Sequence, residues 1–208
     1  MPDTWINTLV VSGPAADVAA FRSAVTDSDA KPVTSLSFQR LQRCLSEEER
    51  AGLDAPMEPW NDWVADADSV GRPEEHIRPE AGMLGLEYNF SLARYEPDEL
   101  LIRASRKFPN LCFVLAWVAP SNDEHRSRFI HNGRTLMYDA PDARVDRLRS
   151  EAYRRNGLDY EGAIENGDFD LSADIDGDWA VLMAIVAHWD GKVHRTLLAL
   201  DGESAAPH

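Results

Sequence analysis

The run Leu111 to Ala119 is continuously apolar and of strand length. A strand without polar alternation needs cover on both faces, so it reads as a central strand of a layered fold. Met83 to Leu92 shows the opposite pattern. Leu84, Leu86, Tyr88, Phe90 and Leu92 alternate with Gly85, Glu87, Asn89 and Ser91, giving one apolar and one polar face. Between the two, Pro97 suits a first helical turn, and Asp98 and Glu99 suit the positive end of a helix dipole. Leu100, Leu101, Ala104 and Phe108 supply the apolar stripe, and Pro109-Asn110 ends the helix near Lys107.

Upstream, Thr4 to Ser12 reads as a strand stopped by Gly13-Pro14. Asp17 to Val25 reads as a helix with Val18, Phe21 and Val25 inward, Leu36-Ser37-Phe38 as a short strand, and Ser46 to Leu53 as a helix with a capped start. Residues 54–82 hold four prolines and many acids and read as a long loop. Trp60 and Trp63 in that loop are three apart, so one helical turn would place both on one face, available to a partner or docked to the core.

Downstream there are two hairpin signals, Asn132-Gly133 and Asp190-Gly191. The second is ambiguous. Residues 179–187 suit a strand or a buried helix, and the strand reading is preferred. Between the signals, Asp142 to about Arg155 reads as a helix with Val145, Leu148 and Ala152 inward and arginines outward. The stretch from Asn156 to Gly191 then has nine acids and no Lys or Arg.

That asymmetry sits in a chain of 208 residues with formal net charge −15. Such a charge disfavours non-specific nucleic-acid binding, which relies on Lys and Arg at phosphates, and disfavours anionic membranes. It permits a basic protein partner, including one whose basic channel binds nucleic acid; the plainer reading is a solubilising surface. No apolar run approaches the roughly 20 residues of a membrane span, and the N-terminus lacks a secretion signal pattern. The two cysteines, Cys44 and Cys112, form no cluster, as in a reducing compartment. These features point to a cytoplasmic protein.

Several stretches are familiar. Trp5-Ile-Asn7-Thr-Leu9-Val-Val11-Ser-Gly13 resembles the W-x-N-x-L-x-V-x-G opening of the Api92-like, or YubB ferredoxin-like, proteins of phages and plasmids. Leu36-Ser37-Phe38 is similar to that family's L-x-F segment. Tyr88-Asn-Phe90 through Glu96-Pro97 to Lys107-Phe108-Pro109-Asn110-Leu111 is similar to its strand, proline-started helix and F-P-D/N-L turn. The resemblance covers residues 3–40 and 83–120. The family's N-W-G-T-K-W motif is absent, with only Trp60-Asn-Asp-Trp63 nearby. The resemblance implies a ferredoxin-like fold and a mobile-element context, and it implies no reaction. An iron–sulfur cluster needs about four cysteine ligands, and this chain has two.

Chemical motifs are weak. Ser172, Asp174, Asp176 and Gly177 fit positions one, three, five and six of a calcium loop, but Met183 stands where a bidentate Glu is needed. The aspartates Asp168, Asp170, Asp174, Asp176 and Asp178 form a looser candidate for a divalent cation or for a basic partner. A hairpin at Asp190-Gly191 would put His188 and His194 on opposite faces. His125 and His131 are too far apart along a strand to share a metal, and His76 lies in the loop. His131 borders a turn and the arginines Arg126, Arg128 and Arg134. No nucleophile elbow, phosphate loop or dinucleotide fingerprint occurs.

The sequence thus predicts an α+β protein. A ferredoxin-like split β-α-β module with an extra hairpin spans residues 1–140 and includes the loop 54–82. A C-terminal α/β extension spans 141–208. The leading functional expectation is a non-enzymatic interaction module without cofactor, binding neither nucleic acid nor membrane directly. Its contacts would be Trp60, Trp63 and the aspartates 168–178, and its partner a protein, in the sharper form a host or defence nucleic-acid-binding protein that it inhibits. The alternative is a divalent-metal hydrolase or nuclease using the same aspartates. The oligomeric state is left open.

Overall fold

A computed structural model describes residues 4–27, 36–55, 74–77, 83–93, 97–119, 124–189 and 192. Its centre is β1 (Thr4–Pro14), paired antiparallel on one side with β3 (Met83–Ala93) and on the other with β4 (Cys112–Ala119). A short strand, β2 (Glu74–Ile77), pairs with the outer side of β3, so the stretch read as one loop contains a strand. β5 (Glu124–His131) and β6 (Arg134–Asp139) extend the other side, giving the order β2-β3-β1-β4-β5-β6 with antiparallel pairing throughout. The protein is therefore mixed α+β around an antiparallel sheet.

The two strand patterns lead directly to the layers. The residues of β4 divide between two cores, Phe113, Leu115, Trp117 and Ala119 on one face and Cys112, Val114, Ala116 and Val118 on the other. On the first face they meet the apolar residues of β3 and three helices, α1 (Ala15–Val25), α2 (Phe38–Arg43) and α4 (Asp98–Lys107). A one-turn helix, α3 (Glu47–Arg50), opens on a full capping box between Ser46 and Glu49. On the second face lie α5 (Asp142–Arg155) and α7 (Leu171–Val186), with α6 (Tyr160–Asn166) between them in sequence. The polar residues of β3 also face inward: Glu87 and Ser91 are buried, and Thr8 Oγ1 donates to Asn89 Oδ1 at 2.7 Å.

The hairpin at Asn132-Gly133 forms as the sequence predicts, with positive φ at both residues (46° and 78°). Its tip docks on α4, where the Gly133 N–H donates to Ser105 Oγ at 2.7 Å.

Three expectations are corrected. Leu36-Ser37-Phe38 is not a strand. Ser37 caps α2, its Oγ accepting from the Arg40 N–H, and Leu36 and Phe38 are anchored in the first core. Gly13-Pro14 does not stop the first strand, which continues to Pro14 and leads directly into α1. A Cβ at Gly13 would stand 2.8 Å from the Asn110 carbonyl oxygen, so glycine there permits close approach of the turn before β4. Residues 179–186 belong to α7, and Ala187–Trp189 form a 3-10 turn. Burial recurs at 177/178, 181/182 and 185/186, a helical spacing that a strand cannot produce. The partner half of that expected hairpin lies outside the described residues.

Candidate interaction surface on the C-terminal helices

α5 and α7 cross closely because residue 177 is glycine; a Cβ there would be 3.1 Å from Arg149 Cγ and 3.3 Å from Arg149 Cα. Immediately beside it, Asp178 Oδ1 accepts from Arg149 Nε at 3.2 Å and Nη2 at 2.9 Å. The Asp178 side chain is 8% exposed and that of Arg149 17%. Arg149 Nη2 is also 3.0 Å from Nε2 of buried His125, so that nitrogen accepts. Burial works against the guanidinium charge, but Asp178, with help from Tyr160, more than offsets it and raises the Arg149 pKa.

One turn away, Tyr153 closes the helical unit. Its hydroxyl donates to Asp174 Oδ1 at 2.6 Å and accepts from the Asp170 N–H at 3.2 Å. Burial, reinforced by the bond to Asp174, pushes its pKa up to about 12. Asp170 caps α7 through the Ala173 N–H, and Asn156 Nδ2 donates to Asp176 Oδ2 at 3.1 Å.

The aspartates singled out from sequence therefore take separate structural tasks. Asp178 holds a guanidinium, Asp174 a phenol, Asp176 an amide and Asp170 a helix cap. Among the described residues no three His, Cys, Asp or Glu side chains come together as a metal site. Asp168 is exposed, and with Asp159 and Asp170 it edges a groove of about 440 Å³ between the end of α5, α6 and the α6–α7 connection. Tyr153 and Ala163 line its interior, and Leu158 and Phe169 stand at its sides, 41% and 55% exposed. Among the described residues no Lys or Arg lines it. Sequence reading passed over this groove. The only local hint was Phe169 set between Asp168 and Asp170 in a tract free of Lys and Arg, and nothing in the sequence joins it to Leu158.

The remaining candidates are placed apart from it. Trp60, Trp63 and His194 lie outside the described residues. His131 Nδ1 donates to the Leu111 carbonyl at 3.0 Å and so ties β5 to the turn before β4. Two of the neighbouring arginines face acids of the chain itself, Arg126 pairing with Asp139 at 2.7 Å and Arg128 with Asp98 at 2.6 Å. His188 stacks on Tyr138, ring centroids 3.6 Å apart, instead of lying in a hairpin. Trp189 Nε1 donates to Ser127 Oγ at 2.7 Å, pinning the end of α7 to the sheet. Among the described residues no helix is long and apolar enough to cross a membrane. No protein-family model, curated protein or solved structure matches the chain.

Proposed function

We propose that this chain is a non-enzymatic protein-interaction module whose C-terminal helices present an acidic surface to a basic partner. The observation that carries this reading is the division of labour among the acids of residues 156–189. Asp174 and Asp178 are turned to internal partners, whereas Asp159, Glu161, Glu165 and Asp168 are exposed, with no Lys or Arg in that stretch to neutralise them. Arg154 and Arg155 are exposed at the end of α5, just before this stretch, so the surface is predominantly acidic; such a surface still steers association with an opposite charge and repels phosphate backbones. In its sharper form the partner is a nucleic-acid-binding protein whose basic site the acidic face occupies.

The succession β1-α1-β2-β3-α4-β4, with the short α2 and α3 inserted between α1 and β2, supports a ferredoxin-like reading of the first part of the chain. Its strands lie in the order β2-β3-β1-β4, and its two longer helices, α1 and α4, cover the same face. That order, with the Trp5-to-Gly13 and Phe108-to-Leu111 segments, supports a resemblance to the Api92-like proteins and a mobile-element setting. The metal-hydrolase alternative loses its geometric support, because the aspartates 170–178 are engaged one by one.

The test is affinity capture from a bacterial lysate with the wild-type chain and a variant carrying Asp159→Asn, Glu161→Gln, Glu165→Gln and Asp168→Asn. Proteins retained by the wild type should be basic, should elute between low and about 1 M salt, where the screening length shrinks to roughly 3 Å, and should be lost from the variant. Retention unchanged by salt and by the four amides refutes the reading.

A further inference from the structure

We propose that the groove between α5, α6 and the α6–α7 connection is an anchor site for a partner segment in which one aromatic or large aliphatic side chain is flanked by Lys or Arg. This rests on the acidic-surface reading and specifies where, and by what chemistry, that surface grips.

Four observations converge. The volume, about 440 Å³, falls within the roughly 300–1,000 Å³ of ordinary ligand sites. Polar groups make up most of its lining, and the apolar surface open to an anchor is that of Leu158 and Phe169, over a floor where Tyr153 and Ala163 are almost fully covered. A large apolar residue exposed singly is unremarkable, but two that share one concavity form a patch of the kind that marks association. The edge is acidic, with Asp159, Asp168 and Asp170 and no Lys or Arg among the described residues, so an incoming segment gains by carrying positive charge beside its anchor. Anionic lipid and nucleic acid are repelled by the same carboxylates. A second copy of the chain, at net charge −15, meets net repulsion.

The frame of the groove is tied together by contacts within the chain. Tyr153 is fixed by Asp174 and by the Asp170 N–H, and packs edge-on against Tyr160 at 5.1 Å. α6 ends on Gly167 in the left-handed conformation (φ 67°), and the Asp168 N–H returns to the Ala163 carbonyl at 3.1 Å. That turn sets Asp168 and Phe169 at the groove edge before any partner arrives. A preformed pocket loses little ordering entropy on binding, and anchors in such pockets carry most of the affinity of an interface.

The test is a peptide-display selection on the full chain at about 0.15 M salt, with fluorescence anisotropy on the enriched peptides. The selected peptides should share an aromatic or Leu/Met anchor within two residues of Lys or Arg. Phe169→Ala should weaken them at least about tenfold, a loss of roughly 1.4 kcal/mol, and Asp159→Asn with Asp168→Asn should weaken them and flatten their salt dependence. Ile164→Ala, exposed on α6 but outside the groove, should leave binding unchanged. Far-UV circular dichroism and melting temperature check that each variant is folded.

Basic peptides that lose affinity with the amides but ignore Phe169→Ala would overturn the anchor site and leave the acidic-surface reading standing. Peptides without basic residues, or indifferent to both changes, would overturn both, as would a selection that enriches nothing. Self-association of the chain abolished by Phe169→Ala would assign the groove to a second copy and overturn the partner proposed here.

Discussion

Asp178→Ala is expected to destabilise this protein more than any other change to the aspartates of α7. The carboxylate is 8% exposed and accepts two hydrogen bonds from Arg149, whose side chain is itself 17% exposed. Removing it leaves a guanidinium enclosed between α5, α7 and β5, facing the accepting nitrogen of His125 at 3.0 Å. Loss of one member of a buried pair costs about 3–5 kcal/mol, chiefly the desolvation of the charge left behind. Whole domains are stable by about 5–15 kcal/mol, so the variant should lose a large fraction of its stability. Urea unfolding followed by far-UV circular dichroism measures this directly, with a fall in midpoint at nearly unchanged slope. Asp178→Asn, which keeps an acceptor oxygen, should cost less than Asp178→Ala. The double replacement Asp178→Leu with Arg149→Met removes both charges and should also be less harmful than Asp178→Ala alone. A single-variant loss below about 1 kcal/mol, the range of an exposed ion pair, would refute the argument that this pair is enclosed. So would a double variant at least as unstable as Asp178→Ala.

Three further outcomes follow from other parts of the fold. Gly177→Val places methyl groups where Arg149 Cγ and Cα already stand within 3.1–3.3 Å of a Cβ, and should destabilise by about 1–3 kcal/mol, seen as a lower urea midpoint. Tyr88→Phe should stabilise by about 1 kcal/mol, because the Tyr88 hydroxyl is buried with no hydrogen-bond partner among the described residues and burial drives its pKa up; a lower melting temperature would contradict this. His188 has its pKa lowered by burial, then by Lys192 and Arg144, so folding disfavours its protonated form. Its contribution to stability is complete above the unfolded pKa of about 6.5 and is lost as pH falls from there towards the lower folded value. His188→Gln should flatten this part of the stability–pH curve, measured by urea unfolding at a series of pH values.

The candidate surface was only partly legible beforehand. The cation-free tract marked the right region, but the five aspartates looked alike in sequence. Which of them face outward depends on residues far away along the chain: Arg149 for Asp178, Tyr153 for Asp174 and Asn156 for Asp176. The groove was invisible because it is made by the meeting of three segments. Nothing local in Leu158 or Phe169 says that they stand at the sides of one concavity.

Features governed by neighbouring residues were determined by the sequence alone. Asn132-Gly133 forms its turn because both residues tolerate positive φ. Pro97 precedes α4 because proline suits a helix start. Cys112–Ala119 is a covered strand because a run without polar residues has no face to offer water. Features with balanced local preferences were decided by tertiary structure. Residues 179–186 suit strand or helix nearly equally, and the helix prevails because its 177/178, 181/182 and 185/186 pairs bury against the sheet's second face. Leu36-Ser37-Phe38 has strand-like alternation, yet the cap at Ser37 and the burial of Leu36 and Phe38 carry it into α2. Propensity differences per residue are a few tenths of a kcal/mol, whereas burying a large apolar side chain is worth about 1.5–3 kcal/mol, so where the two conflict the packing partner decides.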